Sequence, residues 1–288
     1  MSGLKALKLR IASVKSTRKI TKAMQMVAAA KLRRVQQSAQ SARPYAHALS
    51  SILVNLSTSI DDDLCDMKLF GGTGDDKRVL LVVMTADRGL CGGFNANIIK
   101  FARQRIKNLE GEGKEIFLYL VGRRAIEAFK HHFKSKTIGK RLLSEVKHMN
   151  FEYAKNVCDD ILKAFDDNKF DVCDLVFSNF QSVISQVPTY NQIIPLNIAG
   201  SANDVSYEVE PSAEAVLSDI LPKNVAVQIF AALLENGAGE QGARMSAMDN
   251  ATRNAGDMIN RLTLQYNRTR QANITKELIE IISGAEAV

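Results

Sequence analysis

The sequence predicts an α/β protein with a long antiparallel coiled coil: N- and C-terminal helices form a shaft, and a Rossmann-like parallel α/β domain is inserted between them. Three observations carry this prediction. Apolar residues recur at helical spacing near both ends, the first sixty residues are basic and free of acids, and strand-like and helix-like runs alternate in the middle. With 288 residues, 46% of them hydrophobic and 24% charged, the chain can bury a sizeable core and has the balance of a globular protein.

In the N-terminal shaft helix (residues 1–60), Leu4, Leu7, Ile11 and Val14 form one seam. After a phase shift, Ile20, Met24, Val27 and Ala28 continue it, followed by Leu32 and Val35. Gly is absent between Leu4 and Phe70, and strong helix formers fill the centre. Pro44 predicts a kink or break near Arg43. A helix over about Leu4 to Leu56 is roughly 80 Å long at 1.5 Å per residue, more than a compact domain spans, so much of it must meet something else.

Residues 61–76, acidic and Gly-rich, read as a linker. Residues 77–205 read as the α/β domain. RVLLVVMTA (Arg78 to Ala86) and KEIFLYLVG (Lys114 to Gly122) have the continuous apolar character of buried parallel strands. Helices are expected at about Ala96–Leu109, Arg124–His132 and Asn150–Phe165, a strand at Asp171–Phe180 and an extended segment at Val187–Leu196. Residues 206–288 read as the C-terminal shaft helix, with Pro222 as a kink and Gly237, Gly239 and Gly242 as weak points of about 1 kcal/mol each against Ala. Met248, Thr252, Ala255, Ile259, Leu262, Tyr266 and Thr269 then keep a seven-residue repeat, and Ile274, Leu278 and Ile281 resume one residue out of phase.

The charge is local. Lys5, Lys8, Arg10, Lys15, Arg18, Lys19, Lys22, Lys31, Arg33, Arg34 and Arg43 stand in an acid-free stretch; subtracting these eleven charges from the chain's +7 leaves the remainder at −4. Such a face suits nucleic acid, a targeting signal or an acidic protein. A targeting peptide is disfavoured by the length and the sustained apolar register. No run approaches the roughly 18 consecutive apolar residues of a membrane span. Cys65, Cys91, Cys158 and Cys173 lack metal-ligand or CxxC spacing, and His47, His131, His132 and His148 have no partnered nucleophile. TADRGLCGGFN follows a strand as a phosphate-binding loop would, but without GxGxxG or a P-loop pattern it reads better as a tight turn. A dinucleotide-dependent enzyme built on that turn is therefore the weakest alternative, and a basic-helix nucleic-acid-binding protein the stronger one.

Residues 11–34 (IASVKSTRKITKAMQMVAAAKLRR) and 247–288 (AMDNATRNAGDMINRLTLQYNRTRQANITKELIEIISGAEAV), with TADRGLCGGFN between them, resemble the gamma subunits of F-type ATP synthases. The resemblance implies a non-catalytic rotor in the central stalk, one copy per complex, coupling c-ring rotation to the conformational cycle of the catalytic beta subunits. The implied partners are three alpha and three beta subunits, epsilon and the c-ring, with no nucleic acid. It also implies that this chain holds no cofactor or metal, since ATP, ADP and Mg bind alpha and beta. The implied location is peripheral, on the cytoplasmic side of a bacterial inner membrane, or on the matrix side in a mitochondrion. By the same resemblance Lys19, Lys22, Met24, Arg33 and Arg34 face beta, and Glu240, Arg244, Gln271 and Thr275 make polar contacts with beta or between the helices. Gly239 and Gly242 stand where the family usually carries Ala or Ser, and the redox-regulatory cysteine insertion of chloroplast relatives is absent.

Overall fold

A computed structural model describes residues 2–59, 68–146, 149–196 and 213–286. Its elements in order are α1 (Ser2–Ser59), α2 (Lys68–Gly71), β1 (Arg78–Met84), α3 (Phe94–Gly111), β2 (Glu115–Val121), α4 (Arg123–Phe129), β3 (Thr137–Arg141), α5 (Phe151–Asp166), β4 (Val172–Phe180), β5 (Gln186–Ile194) and α6 (Ala213–Glu286). Two compact units result: residues 1–29 with 244–288, and residues 30–243.

The sheet in the second unit has the order β3-β2-β1-β4-β5. The first four strands are parallel, but β5 runs antiparallel to β4, so the expected parallel sheet is a mixed one. The reason is local. Only residues 181–185 separate β4 from β5, enough for a hairpin and too few for the crossover that parallel pairing requires.

β1 is apolar on both faces because both are covered. Val79, Leu81 and Val83 pack with Ile98, Ala102 and Ile106 of α3 and Ala125 and Phe129 of α4. Leu80, Val82 and Met84 meet Val157 and Ile161 of α5, Leu53 and Leu56 of α1, and a run of α6 from Leu217 to Leu233. The inner parts of both long helices therefore belong to the α/β body. Residues 60–67, which include the first part of the expected linker (61–76), and 197–212 lie outside the described residues; the described part of that linker contains α2.

The two prolines do not break their helices. Pro44 lies inside α1 and Pro222 inside α6. A proline costs a helix interior about 3 kcal/mol, and burial of Leu49, Leu53, Leu217, Leu221 and Val225 nearby opposes that cost. α6 also contains an 18-residue window of mean hydropathy 1.4, apolar enough by composition to cross a membrane though not a run of consecutive apolar residues, and half of it is buried inside the protein.

Candidate partner-contact surface

In the first unit the outer parts of α1 and α6 pack antiparallel. Gln25 donates its side-chain amide to Asp249 at 3.0 Å, Thr252 donates its hydroxyl to Thr21 at 2.8 Å, and Gly256 lies against the Arg18 guanidinium. Partners thus move from 25, 21 and 18 on one helix to 249, 252 and 256 on the other, the three-and-four stepping of a coiled-coil seam. The expected seam residues Leu4, Leu7, Ile11 and Val14 are half-buried, as are Thr252, Ile259, Tyr266 and Thr269, while Met248, Ala255 and Leu262 are buried. Ile20 and Val27 depart from the reading, at 60% and 56% exposure. Thr21 and Gln25 hold the seam there instead, because hydrogen bonds to α6 do the work that apolar contact does elsewhere.

All eleven basic side chains of α1 are exposed. Among the described residues none of them forms an ion pair, and only Lys22 has a side-chain bond, to Gln25 Oε1 at 3.1 Å. In the first unit this places Lys19 and Lys22 one turn apart on a solvent face, with Met24 half-buried in the seam. In the second unit Arg33 and Arg34 are likewise exposed. On α6, Glu240 and Arg244 are half-buried, while Gln271 and Thr275 are exposed one turn apart, the Thr275 hydroxyl bonding the Gln271 carbonyl at 3.0 Å. The arrangement offers a dense cationic face rather than a pocket. Cations this close repel one another, and an acidic surface relieves that repulsion.

α6 also overruns its partner. Continuing the register places the first residues of α1 opposite about residue 272 of α6, so among the described residues the last helical turns of α6 have no companion. There Ile274, Leu278, Ile279, Ile281 and Ile282 are 47–69% exposed. The sequence marks Ile274, Leu278 and Ile281 as a continuation of the seam; Ile279 and Ile282 widen that stripe beside the exposed Lys276, Glu277 and Glu280. Such an exposed apolar run marks a surface that another protein covers.

The TADRGLCGGFN loop joins β1 to α3 where β1 and β4 diverge, the place where open α/β sheets bind nucleotides. Here α6 fills that place. Glu235 accepts the amide of Phe180 at 3.1 Å, Asn236 accepts that of Ser178 at 3.4 Å, and Gly239 packs on Phe94 and Ser178. The loop is braced by its own side chains. Asn95 accepts the Ala86 amide, Thr85 accepts the Ala125 amide, and Asp87 accepts those of Arg123 and Ser144. Gly122 is required beside it, since a Cβ there would stand 2.3 Å from the Thr85 carbonyl oxygen. At this turn α6 packs where a dinucleotide would otherwise sit. Among the described residues no group of three or more His, Cys, Asp and Glu side chains is arranged to hold a metal ion.

Residues 3–288 match the family model described as ATP synthase. An ATP synthase gamma chain of Cereibacter sphaeroides is 57% identical over 289 residues, and one of Paracoccus denitrificans 55% identical over 290, each with 100% of both chains covered. Among solved structures, a chain of the Euglena gracilis mitochondrial ATP synthase (OSCP/F1/c-ring, rotational state 3) aligns with a TM-score of 0.68, over 99% of this chain and 94% of that one, at 21% identity. A chain of the Tetrahymena thermophila mitochondrial ATP synthase central stalk and c-ring aligns with a TM-score of 0.60, over 81% and 99%. The structural likenesses establish the fold, and the full-length identities with the curated relatives establish the family: the chain belongs to the ATP synthase gamma chain family.

Proposed function

We propose that this chain is the central-stalk rotor of a proton-translocating F-type ATP synthase, transmitting c-ring rotation to the catalytic beta subunits. The observation that carries this reading is the helix pair itself: an acid-free cationic face on α1, joined to an α6 whose apolar tip extends past its partner. A cationic face grips acidic loops without fixing one geometry, which suits a part that turns. An asymmetric shaft touches three identical beta subunits differently and therefore stabilises a different conformation in each. Lys19, Lys22, Met24, Arg33 and Arg34 face the beta subunits in this reading, with Glu240, Arg244, Gln271 and Thr275 supplying polar contacts.

Three alpha and three beta subunits surround the shaft, epsilon and the c-ring meet its α/β body, and the chain is peripheral to the cytoplasmic side of a bacterial inner membrane. ATP, ADP and Mg are bound by alpha and beta, so this chain does no covalent chemistry itself. Reconstitution with alpha and beta subunits and measurement of ATP hydrolysis tests the assignment. Assembly in a 3:3:1 ratio with restored hydrolysis supports it. A chain that binds DNA with a steep salt dependence and assembles with neither subunit contradicts it.

A further inference from the structure

The sheet face covered by α3 and α4 carries a second set of cations, apart from those of α1. Lys100, Arg103 and Lys107 of α3 are exposed and follow one another at steps of three and four residues, so they stand on one face of that helix. After α4 the chain reads KHHFKSK over residues 130–136, before β3 begins at Thr137. Phe129 is buried and Phe133 half-buried, their rings meet edge to face at 5.9 Å, and the Phe133 carbonyl accepts the Thr137 hydroxyl at 2.7 Å. That anchoring turns Lys130, His131, His132 and Lys134 outward, and all four are exposed.

Arg103 joins the two groups. Its guanidinium donates to the Ala128 carbonyl at 3.3 Å and lies 5.8 Å from the centre of the Phe129 ring, so the α3 cations and the turn after α4 form one surface. Little acid answers it. Among the described residues Lys100, Arg103, Lys107, Lys130, Lys134 and Lys136 form no ion pair; the one acid of α4, Glu127, pairs with Arg124 at 2.9 Å, and α3 carries only Glu110, near its end. Lysine ammoniums on long flexible stems meet a broad, spread charge better than a single fixed group.

We infer that this surface rests against the anionic phospholipid headgroups of a membrane. The choice of lipid rests on the rotor reading, which sets the α/β body on a membrane c-ring. Each Lys or Arg at the surface of an anionic leaflet tightens binding about fivefold. Fluid lipids yield sideways, so the contact attracts the body without fixing its angle.

The test is flotation of the chain, assembled with alpha and beta subunits so that the α1 face is covered, on vesicles of phosphatidylcholine alone and of phosphatidylcholine mixed with phosphatidylglycerol. Binding is expected only to the mixed vesicles, weakening as salt rises. Lys130→Gln with Lys134→Gln should weaken it about tenfold, whereas Lys155→Gln with Lys163→Gln, the same loss of charge from exposed positions on α5, should change it less than about twofold. Thermal melting of both double variants checks that they fold. Equal binding to neutral vesicles, equal effects of the two double variants, or tighter binding of a DNA fragment through Lys130 and Lys134 would each overturn the proposal. Failure to assemble with alpha and beta would count against the rotor reading alone, and the same double variants are then compared in the free full-length chain.

Discussion

Gly239 of α6 lies so close to Phe94, the first residue of α3, that a methyl group on it would stand 3.0 Å from the ring's Cε2. A methyl on Gly242 would stand 2.9 Å from Cε2 of Phe180. These two glycines, read from sequence as soft points in the shaft, are sites of close approach between α6 and the α/β body. Their loss of helix propensity is offset by contact that no larger residue permits.

The glycines therefore give a prediction of opposite signs. Gly239→Ala is expected to destabilise the chain by about 1–3 kcal/mol, since the buried Phe94 ring must yield. Gly237→Ala, whose new methyl would meet only Val35 Cγ1 at an ordinary 3.8 Å, is expected to stabilise by about 0.5–1 kcal/mol. Urea unfolding of the two variants distinguishes them; stabilisation by both would mean that α6 does not pack here as described.

Asp171 is expected to govern part of the acid sensitivity. Its side chain is fully buried; burial pushes the carboxyl pKa up, but bonds from Arg78 and Thr73 outweigh this and hold it below the usual carboxylate value. A depressed folded-state pKa stabilises the fold above the unfolded pKa of about 4 and loses that contribution as pH falls through the folded value. Asp171→Ala should cost about 1–3 kcal/mol at neutral pH, because it removes the acceptor of the Arg78 and Thr73 bonds, while water reaches the partly exposed Arg78 side chain. The gap between variant and wild type should then narrow below about pH 4. Urea midpoints measured across that range check the sign, and a gap that widened in acid would contradict it.

The described cysteines should be inert in the folded chain. Cys91, Cys158 and Cys173 are buried and form no disulfide with one another, burial pushes the Cys158 thiol up to about 12, and burial also raises the Cys173 thiol. Thiolate is the reactive form. Titration with a thiol reagent at pH 8 should therefore leave Cys91, Cys158 and Cys173 unmodified until denaturant is added. Rapid labelling of any of the three would contradict this packing.

Much of this architecture is legible in the sequence because burial leaves a period. β1, β2 and β4 are apolar runs, α3 and α5 begin and end within two or three residues of expectation, and the seam of α6 from Met248 to Thr269 follows its heptads. β3 is not legible, since Thr137–Arg141 is short, contains Gly139 and two cations, and is partly exposed. The direction of β5 follows from the length of a hairpin loop rather than from its residues. In the contact surface, the basic face is plain from composition, but the polar pins at Thr21 and Gln25 are invisible to a hydrophobic pattern.

Removing the exposed apolar tip should separate mechanics from chemistry. Truncation beyond Leu262 deletes Ile274, Leu278, Ile281 and their neighbours without touching the second unit. In the reconstituted complex, ATP hydrolysis is expected to persist while torque and coupling fall. Wild-type coupling in the truncated chain would remove the tip from the account.

The central claim is tested most directly by watching the shaft turn. With alpha and beta subunits fixed to a surface and a bead attached to the α/β body of this chain, ATP should drive rotation in one direction, in steps that match the threefold repeat of the beta subunits. Substituting Glu for Lys19, Lys22, Arg33 and Arg34 together should weaken the torque. Sustained ATP hydrolysis with a bead that does not rotate would contradict the proposal that this chain is the rotor.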